Sequence, residues 1–527
     1  MKLLTHPAVT ALGVAYLCLI GLTAPLISPT HALIYHLNGS PFAMFVPVIL
    51  QFLLLWFLLT GLFTITAQRS RMRVVLWSAI LFFGPWILFK NYGKLMGTTV
   101  PHGLNLFVFV LSLAGFVIFQ LRWRPAFHSS FDRLHGFLAV VLGFTSLGGL
   151  LVLGQLLWCN WQARFLNDPL PLHQRNLTGT IARPRVIWIL MDELSYQQVY
   201  EHRFPGLNLF AFDQLASNSS VFTRVVPAGN MTEMVIPSLM TGSPVDYLRS
   251  SPDGREQTLH NPLTGTSHIF DPHQTVFQDA LQAGYSTAVV GWYNPYCRIL
   301  HDVLDRCFWT NHVPLSAGIS DHQSVAVNLL APLVRLASTL PIFFLPRHVT
   351  NPHDLLEIRN RIVDFETLSN NADQLIADPS ADFLYLHMPI PHPPGIYDRH
   401  HMGFSIGHSS YIDNLALADQ FIAHIRRTLE QQGQWDPSAI IIMGDHSWRT
   451  SLVWASSDLW TAEDQAASHD GQFDDRPAYI VKMPYQQTPA RIDSRFAAIR
   501  TRALLDGIID GRLKTADDLA AWAAQQP

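Results

Sequence analysis

Three apolar runs in this chain each end in groups that can hold a metal or move a proton. Val186–Met191 leads into Asp192 and Glu193, and Phe383–Leu386 leads into His387, with His392 five residues on. Ala439–Met443 leads into Gly444, Asp445 and His446. Short runs of this kind read as buried strands. One Asp after a strand is commonly a helix cap, and one His commonly just packs. Three such endings together favour a site. Carboxylates with imidazoles, and no thiolate among them, suit zinc or manganese. Calcium fits less well, because it prefers oxygen ligands throughout. A dication held there lowers the pKa of a bound hydroxyl and stabilises charge on a phosphoryl group.

Such a centre needs a nucleophile, and the stretch Pro227–Gly242 offers Thr232. A Gly229-Asn230 turn precedes it and an apolar, helical segment follows. A hydroxyl at a helix start is ordinarily a cap. A helix N-terminus also favours anions, so an activated hydroxyl would be well placed there.

The elements that must position these residues begin near Pro184. Strand-like runs at 186–191, 286–290, 383–386, 439–443 and 479–481 alternate with polar, helical stretches. Continuous apolar strands separated by helices predict a mostly parallel sheet covered on both faces. Ligands of such sheets bind beyond the carboxyl ends of the strands. The predicted fold class is therefore α/β.

Before residue 160 the chain is different. Of 527 residues, 49% are hydrophobic and only 14% charged, against about 25% charged in ordinary soluble domains. The excess lies in five apolar runs at 9–28, 43–66, 74–91, 103–121 and 136–158, each near the length of a membrane span. Arg69, Arg71 and Arg73 follow the second run, and Arg122, Arg124 and Arg133 follow the fourth. Positive charge marks the cytoplasmic side. This predicts an inner-membrane protein with its N-terminus in the cytoplasm and everything after the fifth helix outside. Lys90 and Lys94 run against that pattern, and the first run can also be read as a signal peptide. Neither moves the large domain. The expected organisation is a membrane domain at 1–160, a linker at 161–183, a catalytic domain at 184–490 and a helical tail at 491–527. The net charge of −4, without a basic run, excludes nucleic acid as a partner.

The residues at the strand ends, with the five-helix layout, resemble the alkaline phosphatase superfamily in its sulfatase-like branch. By architecture the chain is similar to the lipid A phosphoethanolamine transferases and the lipoteichoic acid synthases. The resemblance implies a sulfatase-like domain with metal ligands Asp192, Asp445 and His446 and nucleophile Thr232, which stands five residues before Pro237. It implies that His392 and His469 hold a second metal or the phosphate, with His387 behind them. Glu193 is a further candidate ligand or a surface cap. Thr275–Gly291 is similar to a common sulfatase stretch that runs from a helix into a strand. Four features depart from the family, the first being Asp192 where the transferases often carry Glu. The Cys/Ser-x-Pro-x-Arg motif of sulfatases is missing near Thr232. The usual Gly-Lys-Trp-His is replaced by Gly291-Trp292-Tyr293-Asn294, and Asp-His-Gly by Asp445-His446-Ser447.

The implied activity is transfer of a phosphoryl-linked head group from a membrane phospholipid to an envelope lipid or glycan, through a covalent threonine intermediate. Arg449 and Lys482 can be read as donor-phosphate contacts or as surface residues. The alternatives are a membrane-anchored phosphodiesterase or sulfuric ester hydrolase that uses water, or a non-catalytic sulfatase-like binding module. A transporter is disfavoured because the apolar helices lack buried charges. Cys297 and Cys307 fall outside the membrane, where a disulfide can form. The apolar stretch 325–346 can be a buried helix or an interfacial segment.

Overall fold

The computed structural model describes residues 3–95, 102–123, 128–174, 183–312, 318–339, 352–407, 409–457 and 459–525. Residues 175–182 of the expected linker lie outside this set, as do 340–346 of the apolar stretch. The chain divides into two compact units.

The first unit comprises Met1–Ile34, Gly39–Leu166 and Leu315–Arg347. It is helical. Pro41–Ala67, Ser70–Phe89, Gly103–Leu121 and Ser130–Phe165 are long and apolar enough to cross a membrane. Pro7–Thr23 is shorter, at 17 residues or roughly 26 Å. The expected five spans are thus four long helices and one short one. Large apolar side chains face outward along them: Phe57 is 78% exposed and Leu151 69%. That pattern is stable against lipid and costly against water.

Pro7–Thr23 is a packed member of this unit. Trp56 Nε1 donates to the Ala8 carbonyl at 2.8 Å. A Cβ on Gly13 would stand 2.0 Å from the Leu142 carbonyl oxygen, so only glycine allows the helices so close. The apolar stretch beginning at Val325 also joins this unit, as the helix Val325–Thr339. Its buried Asn328 donates to the carbonyls of Ala43 and Ser320 at 2.8 and 2.7 Å, and Gln51 donates back to the Leu329 carbonyl at 2.7 Å.

The second unit comprises Tyr35–Asn38, Asn167–Pro314 and His348–Pro527. Its centre is an eight-stranded sheet. Val186–Met191 runs parallel to both of its neighbours, Ala439–Gly444 and Phe383–Met388. Thr287–Trp292 continues the parallel set beyond Phe383–Met388, and Arg306–Thr310 closes that edge. On the other side Tyr479–Lys482 pairs antiparallel with Ala439–Gly444, followed by Ser220–Phe222 and Ala490–Ile492. The side chains of Val186–Met191 alternate between two apolar cores, one on each face. A strand buried on both faces reads as an unbroken apolar run, which is why these strands are visible in the sequence.

The expected tail at 491–527 is not separate. Ile492 ends a strand of the main sheet, and Phe496, Leu504, Leu505, Ile508 and Leu519 are buried in one of its two cores. Leu504, Leu505, Ile508 and Ile509 of Thr501–Ile509 pack on that core, while its polar face made the segment look independent.

Candidate active site and metal centre

The carboxyl ends of three central strands meet at one place. Asp192 follows Val186–Met191, and Asp445 and His446 follow Ala439–Gly444. All three are fully buried. Gly444 permits the turn, because a Cβ there would stand 2.7 Å from the Leu194 carbonyl oxygen. Thr232 opens the helix Thr232–Thr241 and is buried beside them. Its Oγ1 donates to Asp445 Oδ2 at 2.9 Å and lies 3.4 Å from both Asp192 Oδ2 and His446 Nε2. His446 Nε2 is 3.0 Å from Asp445 Oδ2.

This donor set fits a divalent cation. Asp192, Asp445 and His446 each offer a ligand atom within 4.8 Å of the others. Asp192 Oδ1 is buried with no hydrogen-bond partner. Burial and the neighbouring Asp445 charge push the Asp192 carboxyl well above the usual carboxylate range. Two carboxylates held this close and this dry call for a compensating cation.

His387 and His392 come from the third strand and the loop after it. His387 is fully buried; its Nδ1 meets the Tyr296 hydroxyl at 2.6 Å, while its Nε2 is unpartnered and 3.8 Å from Asp192 Oδ2. Burial pushes its pKa down to about 4, so the ring is neutral near pH 7. His392 is also buried, with Nδ1 on the Pro393 carbonyl. Burial, then Arg361 and Arg449, hold it well below the ordinary range.

A second group that could take a metal is Asp192, Glu193 and His392. There a guanidinium already stands among the ligand atoms. Arg449 Nε donates to Glu193 Oε1 at 2.6 Å, and its Nη2 lies 3.1 Å from His392 Nε2. Trp454 Nε1 donates to both Glu193 oxygens at 2.9 Å. Glu193 itself has φ of +63°, a left-handed conformation costly for a residue with a side chain. That conformation sends its N–H to Asp445 Oδ1 at 3.1 Å and its carboxylate to Arg449. Neither Glu193 nor Arg449 is a surface residue.

His469 is not brought to the cluster. It is exposed, at φ +48°, with its ring 5.3 Å from that of His202. The turn after helix Ala462–Ala467 carries it outward. Lys482 is buried away from the cluster, with Nζ on the carbonyls of Asp436, Ser438 and Met483. Cys297 and Cys307 form a disulfide.

Residues 184–485, more than half of the chain, match the family described as Sulfatase. The chain belongs to the sulfatase family. Within that family's wider group, the alkaline phosphatase superfamily, members use divalent metals, and this sulfatase-family chain carries an acidic and histidine cluster able to bind one. Solved structures similar to it include a Bacteroides thetaiotaomicron protein reported with the metabolism of multiple glycosaminoglycans, 15% identical, covering 64% of this chain and 80% of that one, with a TM-score of 0.44. A Pseudoalteromonas sp. sulfatase is 15% identical, covering 62% and 68%, with a TM-score of 0.40. The phosphonate monoester hydrolase of Agrobacterium radiobacter is 14% identical, covering 62% and 74%, with a TM-score of 0.37. No curated protein sequence matches the chain.

Proposed function

We propose that this sulfatase-family protein transfers a phosphoryl-linked head group from a membrane lipid to an envelope acceptor, with Thr232 as the nucleophile. The observation that carries this reading is the Thr232 hydroxyl, surrounded at 2.9–3.4 Å by Asp445, Asp192 and His446. A hydroxyl is a poor nucleophile unless a base or a metal activates it. Asp192, Asp445, His446 and Thr232 would hold one divalent cation, zinc or manganese by donor type, which when bound stabilises negative charge on the hydroxyl and phosphoryl oxygens.

The chain's own groups do the rest. Asp445 Oδ2 is the nearest acceptor for the Thr232 proton. Thr232 Oγ1 bonds to phosphorus, the bond from phosphorus to the donor's lipid oxygen breaks, and the lipid alcohol leaves. The acceptor hydroxyl then attacks the phosphothreonine. Its proton balances the one taken up by the lipid alcohol, and Thr232 regains its own. Arg449 and neutral His392 line the far side of Asp192 and Glu193, where they steady the bound group.

Two features support a lipid donor. The protein carries several helices able to span a membrane. Met231, the residue before Thr232, leaves an apolar side chain 44% exposed.

The proposed orientation places the catalytic unit outside the cytoplasm. Tyr35–Asn38 lies between the first two apolar helices in sequence, yet it belongs to the catalytic unit, where Tyr35 donates to Asn294 at 2.9 Å. Four long helices between residues 41 and 165 return the chain to that same side. The arginines of the intervening loops then face the cytoplasm. The Cys297–Cys307 disulfide supports an oxidising compartment.

The test is the intact mass of purified protein after incubation with total membrane lipid, beside Thr232→Ala. An adduct on the wild type alone supports the reading, and its mass names the head group. No adduct from a metal-loaded protein would turn the reading toward a hydrolase using water.

A further inference from the structure

Arg361 lies on the helix Pro352–Ala377, behind the strand that carries His387. It is only 3% exposed. Among the described residues no hydrogen bond or ion pair reaches its guanidinium, and Nη1 is buried with no partner. A buried arginine is normally paired, because an isolated charge in a dry interior is costly. The acids on its own helix, Glu357 and Asp364, are the charges felt most strongly at Arg361, but neither makes a hydrogen bond or close ion pair with it. Asp364 is taken by Trp292 Nε1 at 3.0 Å, Thr310 Oγ1 at 3.1 Å and the His312 backbone N–H at 3.1 Å. Glu357, one helical turn earlier, makes no bond to it.

Among the described residues its guanidinium stacks on one ring. Arg361 Cζ stands 4.0 Å from the Trp292 ring centroid, and that ring lies 5.5 Å from His392 and 6.0 Å from His387. The Arg361 charge is also felt at His392, and those of Asp192 and Glu193 at Arg361. The Trp292 ring is thus the shared neighbour of Arg361, His387 and His392. Arg449 is more heavily committed, with N–H groups already engaged by Glu193, His392 and the Asn230 carbonyl.

We propose that Arg361 is a substrate-binding residue, whose unpaired guanidinium takes a nonbridging phosphoryl oxygen of the substrate on the Trp292 side of Thr232. The assignment rests on the reading above that the substrate is a phosphoryl ester. A planar fork with free donors is suited to such an oxyanion, and stacking on Trp292 holds it ready.

Inorganic phosphate is the probe. Its affinity is measured by calorimetry on the full-length, metal-loaded protein in detergent, for wild type, Arg361→Met, Arg361→Lys and Thr232→Ala. Arg361→Met weakens phosphate binding about tenfold or more, as expected for loss of a charge-assisted pair. Arg361→Lys keeps most of the affinity, and millimolar guanidinium ion restores it to Arg361→Gly. A folded Arg361→Met protein with wild-type phosphate affinity overturns the assignment. If Arg361→Met does not fold, the lysine variant decides: wild-type stability with phosphate binding intact supports an anion site, and lost stability with unchanged phosphate affinity makes Arg361 a packing residue only. Phosphate binding that depends on Arg361, in a protein whose Thr232 never labels with lipid, would retire the transferase reading and leave the anion site standing.

Discussion

Arg449 Nε donates to Glu193 Oε1 at 2.6 Å, and both groups are withdrawn from solvent. The pair puts the protein's own cation beside the proposed metal centre, among the atoms of what would be a second one. Removing one partner strands the other. Arg449→Met is expected to cost about 3–5 kcal/mol in denaturant unfolding, through an uncompensated buried carboxylate. Adding Glu193→Gln should recover much of that loss. Equal instability of single and double variants would argue that packing, not charge, sets the cost.

Metal content tests the ligand set. Purified wild type should carry about one dication per chain by elemental analysis, with none retained by Asp445→Ala or His446→Ala. His469→Ala should leave the metal content unchanged, because that side chain is exposed beside His202. Chelation should lower the unfolding midpoint of the wild type and spare that of Asp445→Ala. Saturation at a hundredfold Kd is worth about 2.7 kcal/mol. Loss of metal on removing His469 would contradict the geometry.

Thr232→Ala should retain metal, since three other donors remain, yet lose turnover by about a thousandfold or more. Thr232→Ser keeps the hydroxyl and should keep the covalent adduct at a reduced rate. An active alanine variant would remove Thr232 from the chemistry.

Lys482 provides a pH dependence with a definite sign. Burial brings its pKa down from 10.5 to about 8 in the folded protein. Between pH 8 and 10.5 the unfolded chain therefore binds a proton that the folded chain does not, so folding stability from this group rises with pH. The penalty is fully present below pH 8. Measured against Lys482→Met, wild type should gain on the variant by up to about 1.4 kcal/mol per pH unit across that window. A flat difference would show that the three surrounding carbonyls keep the ammonium charged.

The disulfide closes a short loop at the edge of the sheet, between Cys297 and the Arg306–Thr310 strand. Replacing both cysteines by serine should lower stability by about 2–4 kcal/mol. Wild-type protein should also take up a thiol reagent at these positions only after reduction. Labelling before reduction would place Cys297 and Cys307 in the thiol form.

The candidate residues that the structure brings together share one property. Asp192, His387, Asp445 and His446 sit directly after apolar runs buried on both faces, so strand and strand end are marked by neighbours in the chain. Thr232 was marked by a turn followed by an apolar helix. The helical half was legible for the same reason, since its outward-facing apolar side chains suit lipid. Strands such as Arg306–Thr310 and Ala490–Ile492, at the edges of the sheet, are only partly buried and carry too weak a pattern.

Arg449 and Lys482 read as donor-phosphate contacts or surface residues, Arg361 carried no signal, and all three are buried. His469 read as a ligand and is exposed. The amino-acid sequence by itself determined which segments are buried, because apolar runs carry their own reason for leaving water. Only the tertiary structure decided what each polar group meets. Glu193 and Arg449 are 256 residues apart, and no local pattern records that one neutralises the other. A polar side chain is indifferent to burial until a partner reaches it, and that partner is brought by the packing of distant elements.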